Sequence, residues 1–248
     1  MRSRKYRTRI GIQPSVFGIA CMLGLLSLWA SVASAMEPST EQRVYSVSID
    51  DKAAGTYDLT ISTLDDGETR ISAKADVKMT FYKIYNYKYV FSGREKWLNG
   101  QLQTLQSSSE DDGKKFQVAA DFREDEKWIT INDRRQVADP VTWTTTFWHL
   151  PADEKLENVF LLLDADTGEV MKAKADPPRL DTIELAGKSR SCFHVKITEP
   201  RVIQLWFDGK RRLVRQLSTE DGHPTELRLR SLRKLEADVT SDTKPAGE

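Results

Sequence analysis

Cysteine is scarce in this chain: of its 248 residues, only Cys21 and Cys192 carry a thiol. Cys21 lies in an apolar N-terminal segment that we expect to be removed, which leaves Cys192 alone. An internal disulfide is therefore excluded from the mature protein, even in an oxidising compartment. The fold must be stabilised by its hydrophobic core, and the 213 residues after position 35 are enough to build one.

Motifs for catalysis and metal binding are also lacking. The chain has only three histidines, His149, His194 and His223, and none has a partner at ligand spacing, so we predict no metal site. The sequence contains no Gly-x-Ser-x-Gly elbow and no glycine-rich phosphate loop. Its many acids follow no spacing that would nominate a carboxylate pair for glycoside hydrolysis. These absences favour a protein that is not an enzyme, and they predict no cofactor.

A basic excess is lacking as well, once the N-terminal segment is set aside. The whole chain has 37 Lys and Arg against 37 Asp and Glu, and the first 35 residues hold five of the bases and none of the acids. The remainder therefore has 32 bases, 37 acids and a net charge of −5. This mildly acidic balance argues against nucleic acid as a partner.

Long apolar runs are confined to the N-terminus. An apolar segment spans residues 16–32 after a basic stretch, and Ala33-Ser34-Ala35 supplies the small-x-small pattern of a signal peptidase site. We predict a signal peptide over residues 1–35, cleaved after Ala35, and export to the periplasm or the extracellular space, with no transmembrane segment after cleavage. The alternative is an uncleaved N-terminal anchor helix, although the segment is marginal in length for a membrane span.

Alternation with a period of two residues is the most prominent pattern in the rest of the chain. Residues 81–92 predict one long strand, because successive side chains of a strand point to opposite faces of its sheet. One face of this strand is aromatic and carries Tyr85, Tyr87, Tyr89 and Phe91. The aromatic face must cover either a core or an apolar ligand.

Turn residues recur at intervals of roughly ten residues, which predicts an antiparallel meander. The predicted turns lie at residues 50–55, 65–67, 99–100, 111–113, 164–168, 208–209 and 221–224. We predict an all-β fold with a large curved antiparallel sheet, as an open barrel or a two-lobed β-sandwich, and with a short helical connection near residues 140–158. We expect residues 36–41 to be a polar leader, 42–235 a single all-β domain and 236–248 a disordered tail.

Five short motifs follow one another along the chain. They are an opening strand with a turn at Gly55, Trp97-Leu98-Asn99-Gly100-Gln101-Leu102, Thr142-Trp143 to Trp148, Leu163-Asp164 to Gly168, and Leu205-Trp206-Phe207-Asp208 leading to Leu213-Val214-Arg215. This order resembles a bacterial exported domain-of-unknown-function family, family 6134, and more distantly family 3108, over roughly residues 42–234. The resemblance implies a large curved antiparallel sheet, similar in outline to the open barrels of periplasmic lipoprotein-carrier proteins. It implies no activity and carries over no catalytic residue.

Aromatic side chains are the leading candidates for a ligand-binding site. The candidate set is Tyr85, Tyr87, Tyr89, Phe91, Trp143, Trp148 and Trp206. One interpretation is ordinary core, because aromatic side chains bury large areas and pair across strands. The other is a ligand groove with an apolar floor and a hydrated polar rim, since tyrosine combines an apolar ring with a polar hydroxyl group.

Positive charge gathers near the C-terminus. Arg212, Arg215, Arg228 and Arg230 belong to two predicted neighbouring strands and could share one side of the sheet. Such a strip is a candidate site for anions such as lipid headgroups or acidic glycans. The alternative is an ordinary solvated face.

Cys192 and His194 lie two residues apart on a predicted strand, so they share a face and could form an activated thiolate. The apolar neighbours Phe193 and Val195 place the core on the opposite face, which would leave Cys192 accessible. The alternative is a small buried cysteine beside a partly exposed histidine.

Residues 164–168 resemble the start of a calcium loop, with acids at the first and third positions. A full loop requires glycine at its sixth position and a bidentate acid at its twelfth, and these positions are Glu169 and Ala175. We therefore predict a hairpin turn.

The leading functional hypothesis is an exported, non-catalytic β protein that binds a lipid or another apolar or amphipathic ligand on the concave face of its sheet. The alternative is a structural or protein-interaction module of the cell envelope that docks a partner through a sheet edge. An enzyme that uses Cys192 or a pair of acids is the third hypothesis.

Overall fold

The structure is a computed structural model that describes residues 38–81, 85–123, 125–185 and 187–235, without the side chains of Phe81 and Tyr85. The signal peptide predicted over residues 1–35 and the tail predicted over residues 236–248 lie outside the described residues.

The described residues form sixteen β-strands. The first eight are β1 (Ser39–Ile49), β2 (Lys52–Thr63), β3 (Glu68–Phe81), β4 (Tyr85–Leu98), β5 (Gln101–Asp111), β6 (Lys114–Asp121), β7 (Trp128–Ile131) and β8 (Arg134–Val137). The other eight are β9 (Trp143–Thr144), β10 (Phe160–Leu163), β11 (Val170–Ala175), β12 (Arg179–Leu185), β13 (Lys188–Glu199), β14 (Ile203–Phe207), β15 (Leu213–Glu220) and β16 (His223–Leu235).

All sixteen strands belong to one sheet, in the order β8-β7-β6-β5-β4-β3-β2-β1-β16-β15-β14-β13-β11-β10-β9, with β12 paired to β13 beside this path. Neighbouring strands are antiparallel except β9 and β10, which run parallel. The last strand returns to the first, with Leu235 opposite Thr40. The end strands β8 and β9 are not paired with each other in the described part of the chain, so the sheet is not closed. The predicted all-β class is confirmed, as a single large sheet.

Local sequence explains most of these strands. Along β1, Tyr45, Val47 and Ile49 are buried while the residues between them are more exposed, as a half-buried strand requires. The hairpin between β4 and β5 turns at Asn99 and Gly100, whose φ angles of 51° and 71° are those of a tight two-residue turn. The period of two and the turn residues therefore specify the strands together.

The long aromatic strand predicted over residues 81–92 is two strands. Phe81 ends β3 and lies opposite Tyr85, which begins β4, so the chain reverses direction between them. Aromatic residues lie on both sides of the reversal, and no glycine or proline marks it in the sequence.

The turn predicted at Gly55 is also wrong, because Gly55 lies inside β2 and pairs with Val77 of β3. A Cβ atom at this position would lie 2.0 Å from the carbonyl oxygen of Asp76. Glycine is thus required here by the close approach of the neighbouring strand rather than by a turn.

The connection predicted as helical near residues 140–158 is mostly irregular, and its only strand residues are Trp143 and Thr144. Its helical part is one 3₁₀ turn, Asp153–Lys155. Residues 143–150, which we name the inner segment, pack into the interior of the sheet with Trp143, Phe147 and Leu150 fully buried. The main chain of this region is paired with its neighbours, since the amide of Thr145 donates to the carbonyl of Leu163 at 3.0 Å.

Candidate functional site

A cavity of about 590 Å³ lies within the curled sheet. Its walls come from the inward faces of β1 to β6 and of β14 to β16, together with the inner segment and residues 164–168, which we name the acidic turn. The sheet therefore encloses a space that the inner segment fills only in part.

Most of the cavity wall is apolar. The apolar lining residues include Val47, Ile49, Ala75, Val77, Phe91, Phe147, Ile203 and Leu227. Each occupies an inward position of its strand or of the inner segment, so the alternation that builds the core also builds this wall. The wall suits a hydrocarbon chain.

The polar end of the cavity is formed by the acidic turn. The amide of Gly168 donates to the carbonyl of Asp164 at 2.8 Å, and the amide of Asp166 donates to Asp164 Oδ1 at 2.9 Å. The predicted hairpin turn is thereby confirmed.

Side chains from two strands hold the acidic turn against the sheet. The Tyr89 hydroxyl donates to Asp166 Oδ2 at 2.6 Å, and the Ser109 hydroxyl donates to the Asp166 carbonyl at 2.9 Å. The hydroxyl of Ser107 donates to the carbonyl of Ala165 at 2.5 Å. A turn that the sequence would place in solvent is thus drawn inwards onto β4 and β5.

Arg201 joins the acidic turn to the other side of the cavity. Its guanidinium lies 3.3 Å from Asp164 Oδ2 and 3.2 Å from Glu220 Oε2 on β15. The turn, β4 and β15 are therefore connected through a chain of polar contacts at one end of the cavity.

The electrostatics of this end are unusual. Burial, reinforced by the neighbouring Asp164, raises the pKa of Asp166 to about 7. Burial also raises the pKa of Glu220, and burial with nearby Asp111 raises the pKa of Tyr87. All three shifts favour the protonated, uncharged form of the side chain at this end of the cavity.

The cavity reaches solvent near the turn between β15 and β16. Asp221 and His223 both line it, and Asp221 is exposed. His223 Nδ1 lies 2.8 Å from Asp50 Oδ2. Polar side chains therefore lie on this side of the cavity.

The predicted aromatic set divides between cavity, core and outer face. Tyr87, Tyr89 and Phe91 line the cavity. The side chain of Tyr85 lies outside the described residues. The three tryptophans are not among the residues that line the cavity.

Each tryptophan instead has its own packing partners. Trp143 is fully buried and packs edge-on against Phe147, with ring centroids 4.9 Å apart. Trp148 packs against Trp97 at 6.0 Å. Trp206 lies on the opposite face of the sheet, in a small cluster with Ile183, Cys192 and Val214.

The four arginines of the predicted anion strip have polar partners. Arg215 and Arg228 lie opposite each other and both contact Glu226, at 2.6 and 2.8 Å. Arg212 contacts Asp208 at 2.6 Å, and Arg230 donates to the hydroxyl of Ser46 at 2.9 Å. The carboxylates offset much of the charge on which the anion strip was predicted.

Cys192 is buried, with 2% of its surface exposed, which corrects the expectation that it is accessible. The outer face of β13 is covered here by the cluster around Trp206, whose ring stacks on His194 at 4.5 Å. Burial raises the pKa of the Cys192 thiol, which disfavours an activated thiolate.

Three polar residues at the cavity end were missed by the sequence analysis as site residues. Asp164, Arg201 and Glu220 are far apart along the chain and carry no shared motif. Only the order of the strands brings them together.

A fourth missed residue, Glu95, had a signal in the sequence. It falls on the aromatic face of β4 by alternation and is buried, with 2% of its surface exposed. Its Oε2 accepts from Trp97 Nε1 at 2.6 Å and from Thr144 Oγ1 at 3.2 Å, while its Oε1 has no hydrogen-bond partner among the described residues. Burial raises the pKa of Glu95 to about 7.

The sequence profile of a family described as a domain of unknown function, DUF6134, matches residues 45–230. The chain belongs to the DUF6134 family. The resemblance to family 6134 is thereby confirmed, and the more distant similarity to family 3108 stays a prediction. No curated protein shows significant similarity to this DUF6134 chain.

The fold of this DUF6134 chain is similar to a crystal structure described as a beta-barrel-like protein of domain of unknown function DUF1849 from Brucella abortus. The TM-score is 0.57 at 8% sequence identity, and the match covers 80% of this chain and 98% of the Brucella chain. At this identity the similarity supports the fold alone. In the described part of the DUF6134 chain, no helix is long and apolar enough to cross a membrane.

Proposed function

We propose that this DUF6134 protein binds an amphipathic ligand, with an apolar chain along the cavity wall and a polar group at the acidic turn. The observation that carries the proposal is the cavity itself, because its 590 Å³ falls within the range of about 300–1,000 Å³ that is usual for small-molecule sites. Its mostly apolar lining with a few convergent polar groups is also usual for such sites.

The cavity is hard to explain as ordinary packing. Protein interiors are close-packed, and voids larger than a water molecule are few. Here two of the inward residues of β3 that line the cavity, Ala75 and Val77, are smaller than leucine or phenylalanine. These small inward residues therefore support the proposal that the cavity holds a ligand.

We propose further that the protein works outside the cytoplasm, in the periplasm or the extracellular space. The support is the basic stretch, the apolar segment and Ala33-Ser34-Ala35 at the start of the chain.

A bound ligand can be sought directly by native mass spectrometry of the protein purified from its host. An additional mass that is lost on unfolding is the expected result. Fluorescence of the uncharged probe N-phenylnaphthylamine would then report on the site in solution.

Two variants of β3 make a matched pair for this assay. Ala75→Phe places a ring in the cavity and should weaken probe binding by about tenfold or more. Lys74→Phe adds the same ring at the adjacent exposed position and should leave binding unchanged. Absence of both a co-purified mass and any probe binding by the unmodified protein would refute the proposal, as would equal binding by both variants once their thermal unfolding shows that they are folded.

The alternative function, docking of an envelope partner through a sheet edge, has β8 as its natural surface. Its four residues are all exposed. However, β8 is short and carries Arg134 and Arg135, and both features protect an edge strand against pairing with another chain. The ligand proposal therefore has the stronger support.

A further inference from the structure

The charged groups that line the cavity are mostly acidic. Among the described lining residues, the acids are Asp111, Asp164, Asp166, Glu220 and Asp221, and the bases are Arg201 and His223. The proposed ligand therefore meets a carboxylate-rich end.

The two bases are already engaged. Arg201 contacts Asp164 and Glu220, and His223 contacts Asp50. Within the described ranges, Asp111, Asp166 and Asp221 have no Lys or Arg nitrogen within 4.0 Å. Among the residues that the structure describes, three carboxylates on the wall thus have no contact with Lys or Arg.

Two buried oxygen atoms at this end also have no hydrogen-bond partner among the described residues. One is the hydroxyl oxygen of Ser218, a lining residue with 8% of its surface exposed. The other is Asp111 Oδ1. Buried polar atoms are rarely left unpaired, because losing hydration without a replacement bond costs about 1–3 kcal/mol. Both oxygens can accept from an N–H donor.

The arrangement does not fit a metal ion. No group of three or more His, Cys, Asp or Glu side chains is placed to hold one in the parts of the chain that the structure describes. The acids are spread around a concave surface, beside the ring of Tyr87, which can attract an organic cation.

We propose that the ligand carries a primary amine, protonated to an ammonium, that is seated among Asp111, Asp166 and Ser218 while its hydrocarbon chain follows the apolar wall. This inference rests on the proposed function and specifies its ligand class. An ammonium supplies three N–H donors and one positive charge, which match the acceptor oxygens and the carboxylates without a Lys or Arg contact among the described residues.

Three probes with the same twelve-carbon chain test the headgroup: dodecylamine, dodecanol and dodecanoate, titrated calorimetrically into the protein at pH 8. We expect dodecylamine to bind more tightly than dodecanol by about tenfold or more, with dodecanoate the weakest. If dodecanol or dodecanoate binds as tightly as dodecylamine or more tightly, the inference of an amine headgroup is refuted, while the proposed function of the cavity is not. If none of the three binds, the proposed function itself fails.

Variants assign the effect to the cavity. Asp166→Asn should weaken dodecylamine by about tenfold and leave dodecanol within about twofold. Asp111→Asn should act in the same way and serves as a second variant if the first unfolds. Asp76→Asn, on the exposed face of β3, should change neither affinity. If both cavity variants are folded and bind dodecylamine with unchanged affinity, the proposed position of the ammonium is refuted. Calcium chloride titrated alone should give no binding heat. If it does give a binding heat, and Asp166→Asn abolishes that heat, the site binds a metal ion and the amine proposal is wrong.

Discussion

Replacing Glu95 by glutamine should make the protein more stable at pH 8 and leave its stability nearly unchanged at pH 4.5. In the folded protein, burial holds the pKa of Glu95 near 7, against the ordinary value of 4.5. The folded state therefore binds the proton more tightly than the unfolded state does. The free energy of unfolding contributed by this group is fully present below pH 4.5 and is lost as the pH rises from 4.5 through 7.

The size of the loss follows from the two pKa values. Each unit of difference is worth about 1.4 kcal/mol, so ionised Glu95 should lower the free energy of unfolding by up to about 3 kcal/mol at pH 8. A glutamine has nearly the same shape, carries no charge and retains an acceptor for the Trp97 indole. The variant should therefore recover most of this loss.

The assay is urea unfolding followed by tryptophan fluorescence at a series of pH values between 4.5 and 8. The difference between the two proteins isolates Glu95, because the other titrating groups are common to both. Glu110→Gln, at a surface position where Glu110 contacts Lys88, is the control and should shift stability by no more than about 0.5 kcal/mol. Parallel stability curves for Glu95→Gln and the unmodified protein would refute the reasoning.

Two substitutions and one labelling experiment test other parts of the structure. Gly55→Ala should destabilise the fold by about 3 kcal/mol or more in urea unfolding, because its Cβ would clash with the carbonyl of Asp76; an unchanged midpoint would contradict the strand register. Tyr89→Phe removes a hydrogen bond to Asp166, so stability should fall by about 1–2 kcal/mol and the pKa of Asp166 should rise in a carboxyl NMR titration, whereas a lower pKa would disprove the contact. Cys192 should react with a thiol reagent only as fast as the protein unfolds, and rapid labelling of the native protein would show that it is not buried.

The strands could be predicted because their signals are local. Alternation and turn residues lie within a few positions of each other, as at Asn99 and Gly100. β8 was missed for the same reason, since Arg134–Val137 is exposed throughout and has no apolar alternation to detect. The reversal between β3 and β4 was missed because neither glycine nor proline marks it and the aromatic composition continues across it.

The site was less accessible to sequence reasoning. Tyr87 and Tyr89 were correctly placed on one inward face, but their polar partner Asp166 comes from a turn that local rules place in solvent. Its contact with Tyr89 joins the acidic turn to β4, which lies 77 residues earlier in the sequence. Trp206 could have been separated from the set, because Leu205 and Phe207 on either side of it occupy the inward positions of β14.

The pairing of the first strand with the last has a consequence for how the chain folds. Every hairpin from β1 to β8 can form as soon as its residues are available, but the free edge of β1 must wait for β16, whose partner positions lie nearly the whole domain away. Contacts of such high sequence separation make folding slow. Until the final strand arrives, the eight-stranded meander presents an unpaired edge, which is the condition that exposes a newly made chain to aggregation and to capture by chaperones.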